Sequence, residues 1–201
     1  MKSTVRVAGV QMVSTTNVEE NLRASAALIA QAAHGGAQVI ALPEYFCLMA
    51  QRDTDKVALR EADGHGPIQD FLADQASQHR VSLVEGTLPL VAPENDRVLN
   101  TLLVYGPAGE RVARYDKIHL FRFNKGKEDY DESRTIAPGK EVASFKLATE
   151  DGVRLRVGLS ICYDLRFPVF SRNRFDVARE GLPDYDLALY VANWPAARSY
   201  P

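Results

Sequence analysis

The chain has 201 residues, of which 46% are hydrophobic and 25% charged. This balance provides enough apolar side chains for the core of one domain, spanning residues 1–201, and excludes a disordered chain. A formal net charge of -2 without a basic cluster excludes a typical nucleic-acid-binding surface. No apolar run is long enough to cross a bilayer, and the first six residues lack the pattern of a signal peptide. With only two cysteines, the sequence favours a cytoplasmic protein whose thiols are reduced.

The first forty residues predict a β-α-β unit. Residues 4–12 alternate between apolar and polar types and predict a strand. A helix is predicted to begin at Asn17, with Glu20 completing a capping box, and to end at the glycines 35–36. The apolar run at 37–42 is too short for a helix and predicts a buried strand. A helix between two strands indicates a fold in which helices pack on a sheet.

The rest of the chain predicts a second helix and further strands. Pro67 suits the first turn of a helix that extends to about residue 79. The predicted strands are 81–90, 99–105, 110–120, 142–147, 153–162 and 186–192, with a hairpin turn between the fourth and fifth. A helix is also predicted to begin at Pro168. The long loops at 48–66 and 121–138 are candidates for functional segments.

Three reactive side chains lie near the ends of predicted strands: Glu44, Lys117 and Cys162. Taken singly, each has a structural interpretation, as a surface carboxylate, a solvated lysine or a packing thiol. Taken together, they suit acyl transfer, because a thiol with an ordinary pKa of about 8.5 needs a base to become a nucleophile. A carboxylate can accept that proton, and an ammonium can stabilise the oxyanion that forms.

Three sequence blocks around these residues resemble the catalytic blocks of the nitrilase (carbon–nitrogen hydrolase) superfamily, in the family's order. They are Ala41-Leu42-Pro43-Glu44, Tyr115-Asp116-Lys117-Ile118-His119-Leu120-Phe121 and Ile161-Cys162-Tyr163-Asp164-Leu165-Arg166-Phe167-Pro168. The resemblance implies an α/β fold, the four-layer αββα sandwich. It also implies that Glu44 is the general base, Lys117 the oxyanion stabiliser and Cys162 the nucleophile.

The same resemblance extends the predicted site. Glu132, in Asp131-Glu132-Ser133-Arg134 before Pro138-Gly139, matches a second glutamate that assists catalysis in the family. The backbone N–H of Tyr163 is the expected second oxyanion donor, and Asn193 and Trp194 are expected to line the substrate pocket. The four histidines do not have metal-ligand spacing, so we expect no metal and no cofactor.

The sequence is most similar to the omega-amidase and deaminated-glutathione-amidase branches, which act on small amides that bear a carboxylate. Two alternatives stay open: a nitrilase or N-carbamoyl amidohydrolase using the same triad, or a truncated, inactive relative that only binds. The family continues beyond the point where this chain stops, so the sandwich is expected to lack its C-terminal part. An insertion is expected at 175–183, and a homodimer is expected for the complete protein.

Overall fold

The computed structural model describes residues 4–125, 128–149, 152–167 and 185–193. Within these ranges the helices are α1 Val18–His34, α2 Asp55–Leu59 and α3 Pro67–His79. The strands are β1 Val7–Gly9, β2 Val39–Ala41, β3 Ser82–Val84, β4 Leu88–Val91, β5 Val98–Tyr105, β6 Arg111–Asp116, β7 Arg122–Lys125, β8 Glu128–Asp131, β9 Ile136–Ala137, β10 Ser144–Ala148, β11 Arg154–Ile161 and β12 Leu187–Val191. Two 3₁₀ turns cover Glu132–Arg134 and Cys162–Arg166.

The large sheet is organised around β5. Strands β1, β2 and β3 are parallel to one another, and β3 and β4 both pair with one edge of β5 in antiparallel fashion. The opposite edge of β5 pairs with β6 and, at its start, with β9. This long strand is almost entirely buried, including its polar residues Asn100 and Thr101.

A second, smaller sheet contains β10, β11 and β12. Strands β10 and β11 form the predicted antiparallel hairpin, and β12 lies parallel to β11 on its other edge. The parallel pairing places Ile161 opposite Val191, so the two chain segments that leave these strands emerge side by side. The residues that follow β11 and β12 are therefore neighbours in space, although they are about thirty positions apart in sequence.

Two apolar cores divide the structure into layers. One face of the large sheet packs against α1 and α3 through Ile40, Leu83 and Leu103, and the other face packs against the small sheet through Val39, Val84 and Leu102. Neighbouring residues of each strand point into opposite cores because strand side chains alternate. Helices, large sheet and small sheet are thus stacked in the order α-β-β, as predicted for a mixed α/β sandwich. The helix predicted at Pro168 and the insertion at 175–183 lie outside the described residues.

The predictions of local structure are confirmed for α1, α3, β5 and the β10–β11 hairpin, and the strands at 4–12, 37–42 and 186–192 are shorter than expected. The helix cap differs in detail. The Asn17 side chain accepts a hydrogen bond from the Glu20 N–H at 3.2 Å, but the Glu20 carboxylate lies 3.3 Å from the Thr15 hydroxyl rather than closing the capping box. In the described part of the chain, no helix is long and apolar enough to cross a membrane.

Two further strand predictions were wrong in their extent. The strand predicted at 81–90 is interrupted between β3 and β4, where Gly86 has a φ of 78°. The strand predicted at 110–120 ends at Asp116. The two long loops also contain secondary structure: α2 lies in 48–66, and β7, β8, a 3₁₀ turn and β9 lie in 121–138.

Candidate active site

Glu44 lies just beyond the end of β2, where the chain turns sharply. Tyr45 has a φ of 55°, a left-handed conformation that is unusual for a large side chain. The interruption between β3 and β4 holds this turn. The Tyr45 N–H donates to Thr87 Oγ1 at 2.9 Å, and a Cβ atom on Gly86 would be 2.0 Å from the Pro43 carbonyl oxygen. The strand is interrupted because the backbone of this segment packs directly on the turn that carries Glu44.

Lys117 follows β6 and points into the protein, with only 1% of its surface exposed. Its backbone N–H donates to the Asn100 carbonyl oxygen at 2.9 Å, which keeps it beside β5. Its Nζ atom is 2.9 Å from Glu44 Oε1 and 3.0 Å from Glu132 Oε1. A buried ammonium is costly unless it is paired and hydrogen-bonded, and here two carboxylates meet that requirement.

Glu132 begins the 3₁₀ turn after β8 and connects Lys117 to the preceding loop. One carboxylate oxygen receives the Lys117 ammonium, and Oε2 accepts the Phe121 N–H at 2.7 Å. The side chain is mostly buried, with 16% of its surface exposed. Both of its contacts restrain the carboxylate, so Glu132 limits the positions that the Lys117 ammonium can occupy.

Cys162 is the first residue after β11 and has a φ of 43°, which is a strained conformation for a residue with a Cβ atom. Burial and the Glu44 carboxylate raise the pKa of its thiol, and the backbone N–H of Asn193 acts to lower it, so the carboxylate and the N–H both lie beside the sulfur. That same N–H also lies 3.3 Å from Glu44 Oε2. The parallel pairing of β11 with β12 accounts for this arrangement, because it brings the residues after both strands to one end of the small sheet.

A buried carboxylate fixes the turn that follows Cys162. Asp164 is fully buried, and its two oxygens accept the Tyr115 hydroxyl at 2.6 Å, the Ile161 N–H at 3.0 Å and the His119 N–H at 3.1 Å. The His119 ring nitrogen Nδ1 lies 2.7 Å from the same carboxylate, and the ring stacks on Phe167 at 3.8 Å. These contacts hold the His119 ring and the Asp164 carboxylate in fixed positions beside the turn that carries Cys162.

The charges of the site shift two pKa values. Burial by itself lowers the pKa of the Lys117 ammonium, but the Glu44 and Glu132 carboxylates outweigh it, so the pKa stays above its ordinary value and the group is charged. Burial and the adjacent Glu44 carboxylate raise the pKa of the Cys162 thiol, against the opposing effect of Lys117. The resting pair is therefore a neutral thiol beside a carboxylate, rather than a thiolate.

The structure brings four of the predicted site residues together: Glu44, Lys117, Glu132 and Cys162. The backbone N–H of Asn193 also lies in this group, 3.3 Å from Glu44 Oε2. The Tyr163 ring packs edge-on against two other aromatic rings, those of Phe121 at 5.2 Å and Phe167 at 5.4 Å. Trp194 lies outside the described residues.

Three residues near the site were missed by sequence reasoning. Asn100 donates from Nδ2 to Glu44 Oε1 at 3.0 Å, and its signal was a polar amide inside the apolar strand β5, since buried polar groups need partners. Tyr45 and Lys56 form the second group, with the Lys56 Nζ atom 4.5 Å from the centre of the Tyr45 ring. Their proximity had no sequence signal, because Lys56 belongs to a loop whose path is set by tertiary packing.

The second cysteine has a different environment. Cys47 is completely buried in the core between the helices and the large sheet, and burial raises the pKa of its thiol. Both cysteines are free thiols. Among the described residues, no group of three or more histidine, cysteine, aspartate or glutamate side chains is placed to hold a metal ion.

Comparison with known proteins agrees with this geometry. Residues 6–176 match the carbon-nitrogen hydrolase family. The chain is 35% identical to deaminated glutathione amidase of Synechocystis over 167 residues, covering 82% of this chain and 60% of that protein. It is 31% identical to the mouse omega-amidase NIT2 over 166 residues, covering 82% and 57% of the two chains. The crystal structure of XC1258 from Xanthomonas campestris, a CN-hydrolase superfamily protein, superposes with a TM-score of 0.73 at 33% identity, covering 98% of this chain and 65% of that one.

These relatives are longer than the present chain, which spans about 60% of the first of them. The family match nevertheless covers most of the chain and includes the turn of Glu44, the β6 end at Lys117 and the strained turn at Cys162. The layers of helix and sheet are also those of the structural relatives. The chain belongs to the carbon-nitrogen hydrolase family.

Proposed function

We propose that this chain is the catalytic part of a thiol amidohydrolase, which cleaves the C–N bond of a small amide through a thioester on Cys162. The observation that carries the proposal is the meeting of the Cys162 thiol, the Glu44 carboxylate and the Lys117 ammonium, each at the end of a different strand. A nucleophile, its base and a cation for the oxyanion are the groups that acyl transfer needs.

The first step joins proton transfer to attack. Because burial and Glu44 raise the pKa of the Cys162 thiol, the thiolate does not accumulate at neutral pH. Glu44 accepts the thiol proton as the sulfur attacks the amide carbonyl carbon, so that the charge passes to the carbonyl oxygen. The product of this step is a tetrahedral adduct with a negatively charged oxygen and a protonated Glu44.

Lys117 stabilises that oxyanion. Its ammonium is held charged and almost free of solvent by Glu44 and Glu132, and an ordered charge in a dry site acts strongly on developing charge. The backbone N–H of Tyr163, next to the nucleophile, is the proposed second donor. Glu132 does not need to transfer a proton in this scheme, because its contacts suit it to position Lys117.

The adduct then collapses, and the C–N bond breaks. Glu44 returns its proton to the leaving nitrogen, which departs as ammonia from a primary amide or as the free amine from a substituted one, and leaves the thioester. Glu44 next removes a proton from water as the water oxygen attacks the thioester carbonyl carbon. Collapse of the second adduct releases the carboxylic acid and restores the thiol, so one water is consumed for each ammonia released.

We further propose that the amide carries a free carboxylate. Support comes from two relatives, a deaminated glutathione amidase and an omega-amidase, to which the chain is 35% and 31% identical. Deaminated glutathione and α-ketoglutaramate are therefore the first two substrates to test. Asn193 and Trp194, which follow β12, are the proposed pocket wall.

The test incubates the purified chain with each amide and measures ammonia released from α-ketoglutaramate and the cysteine- and glycine-containing amine released from deaminated glutathione, with the acid products identified by mass spectrometry. Cys162→Ala is expected to abolish release, whereas Cys47→Ala, at the buried core thiol, is the matched control and is expected to retain it. Mass spectrometry should also detect the thioester on the peptide that contains Cys162.

Three results would contradict the proposal. Ammonia release by Cys162→Ala would exclude the thiol as nucleophile. Consumption of a nitrile, or carbon dioxide released with the ammonia, would instead indicate a nitrilase or an N-carbamoyl hydrolase. A folded chain that hydrolyses none of the amides tested would favour a binding role.

A further inference from the structure

Lys56 is a cation beside the candidate site that lacks an anionic partner within the described residues. It lies in α2, in the loop between Glu44 and α3, and its side chain is partly buried. Among the described residues, no carboxylate oxygen lies within ion-pair distance of its Nζ atom. The ammonium instead lies over the Tyr45 ring, 4.5 Å from its centre, in the arrangement of a cation–π contact. Its charge is therefore available to a ligand.

The Tyr45 hydroxyl is a second group without a partner. It is buried, and no atom of the described residues accepts or donates a hydrogen bond to it. Buried hydroxyl groups nearly always have a partner in native proteins, and an exception calls for an explanation such as a bound ligand. Because Tyr45 directly follows Glu44, its side chain leaves the same strained turn as the proposed general base.

The proposed catalytic side chains carry more negative charge than positive charge. The proposed catalytic side chains contribute two carboxylates, Glu44 and Glu132, and one ammonium, Lys117. An acidic substrate entering such a site would meet an excess of negative charge. Burial lowers the pKa of Lys56, and the carboxylates of Glu132, Asp53 and Glu44 partly counter that fall. Lys56 contacts the ring of Tyr45, the residue next to Glu44, so it adds a second positive charge beside the proposed catalytic carboxylates.

We propose that Lys56 and Tyr45 form the subsite that binds the free carboxylate of the amide substrate, with Lys56 as a specificity-determining residue. The inference rests on the proposed amidohydrolase function. One ammonium and one hydroxyl donor suit a monoanionic carboxylate, whereas phosphate sites commonly gather several donors or a helix N-terminus. The ammonium pairs with the carboxylate, and the hydroxyl donates to one of its oxygens.

The first experiment compares an acidic amide with a neutral one of similar length. Glutaramate and pentanamide are hydrolysed separately by the wild type and by Lys56→Met, and the ratio of their kcat/KM values is the readout. Loss of one charge-assisted contact is expected to lower this ratio about 10- to 100-fold. Lys56→Arg should retain most of the ratio, and Lys146→Met, which removes an exposed lysine from β10, is the matched control.

Tyr45→Phe separates the hydroxyl from the ring. It leaves an aromatic face beneath Lys56 and removes only the unpartnered hydroxyl group. The KM for glutaramate is expected to rise about threefold to tenfold, which is the effect of a single neutral hydrogen bond. A structural role of the ring alone would leave this KM unchanged.

A second experiment does not depend on turnover. Glutarate is tested for protection of Cys162 against iodoacetamide, with the modified peptide measured by mass spectrometry, in wild-type protein and Lys56→Met. The variant is expected to need about 10- to 100-fold more glutarate for the same protection. Protection that requires Lys56 in a chain that hydrolyses no amide would support the subsite and refute the amidohydrolase.

Two outcomes would overturn the inference. If Lys56→Met lowers kcat/KM equally for glutaramate and pentanamide, the lysine supports the site but does not recognise the carboxylate. If Arg166→Met lowers the ratio and Lys56→Met does not, the carboxylate binds beside the 3₁₀ turn after β11 instead.

Discussion

The Glu44→Gln variant tests the proposed base most directly, because it removes one charge and almost no volume. In the structure, Glu44 receives Lys117 Nζ, Asn100 Nδ2 and the Asn193 N–H. A glutamine oxygen can keep the first two bonds, but its amide group would face the Asn193 N–H donor. Lys117 would retain Glu132 as its anionic partner, so the buried ammonium would not be left unpaired.

The variant is expected to increase the ionised fraction of the Cys162 thiol while it lowers the rate of hydrolysis. Two unit charges about 4 Å apart interact by about 4 kcal/mol at an effective dielectric constant of about 20, which corresponds to about 3 pKa units. Since the Glu44 carboxylate raises the pKa of this thiol while Lys117 lowers it, removing Glu44 should lower the pKa by about 1 to 3 units. The thiolate should therefore form at lower pH than in the wild type.

Hydrolysis should nevertheless become slower. A positioned general base typically contributes about 100- to 10,000-fold to the rate, and glutamine cannot accept the proton or return it to the leaving nitrogen. Folding stability should fall by about 1.5–3 kcal/mol, because charge-assisted hydrogen bonds of Lys117 and Asn193 are weakened. A more ionised nucleophile combined with a slower enzyme would identify Glu44 as the proton carrier.

Two assays measure these effects. The folded protein is alkylated with iodoacetamide over a range of pH, and the modified peptide that contains Cys162 is then measured by mass spectrometry. The pH dependence of the alkylation rate gives the pKa of the thiol. Ammonia release gives the rate, and urea denaturation followed by circular dichroism gives the free energy of unfolding. A thiol pKa that is unchanged or higher in Glu44→Gln, or hydrolysis within about threefold of wild type, would refute the reasoning.

Three further predictions concern residues that support the site. Gly86→Ala should lower the free energy of unfolding in urea by about 2–4 kcal/mol, because the new Cβ would overlap a carbonyl oxygen at 2.0 Å. The control Gly152→Ala, at a glycine with a similar φ but open space around it, should cost only about 1 kcal/mol. Equal losses in the two variants would contradict the packing argument. Burial raises the pKa of Glu85 well above its ordinary value, so folding takes up a proton, and its contribution to stability is lost as pH rises towards the raised pKa. Relative to wild type, Glu85→Gln should gain about 1.4 kcal/mol in unfolding free energy for each pH unit above about 4.3. The measurement is urea denaturation of both proteins at pH 5 and 7. A difference in unfolding free energy between variant and wild type that is the same at both pH values would exclude this. Asp164→Asn should lower kcat more than it changes KM and alter alkylation of Cys162, since one of the two acceptor oxygens that hold the turn beside the thiol becomes an NH2 donor. Unchanged steady-state kinetics would show that the turn holds without the second oxygen.

Features with a local physical cause could be predicted from the sequence. Helix α3 begins at Pro67, as expected, because proline is preorganised for a first helical turn and has no N–H to satisfy. Helix α1 has its N-cap at Asn17 and its C-cap at Gly35, and β5 lies in a segment rich in leucine and valine. Each of these depends on side chains within a few positions of one another.

The family and the position of the candidate site were also evident from sequence. Three blocks in a fixed order predicted Glu44, Lys117 and Cys162 as one group. In the structure Lys117 Nζ lies 2.9 Å from Glu44 Oε1, and both groups act on the Cys162 thiol. Glu132 was predicted by its block, and it lies 3.0 Å from the Lys117 ammonium. The roles of these residues stay predictions until the variants are measured.

What the sequence alone determined was therefore the local geometry, the order of the elements and the residues with reactive groups. Only the tertiary structure decided how distant segments meet. The break at Gly86 exists because that backbone packs on the turn at Pro43. Lys56 lies beside the candidate site because its loop returns over the Tyr45 ring. The physical reason is that periodicity, caps and turns arise from interactions within a few residues, whereas strand pairing and burial bring together segments that are far apart in the chain. The charges that set the Cys162 and Lys117 pKa values come from such segments, so no local pattern could reveal them.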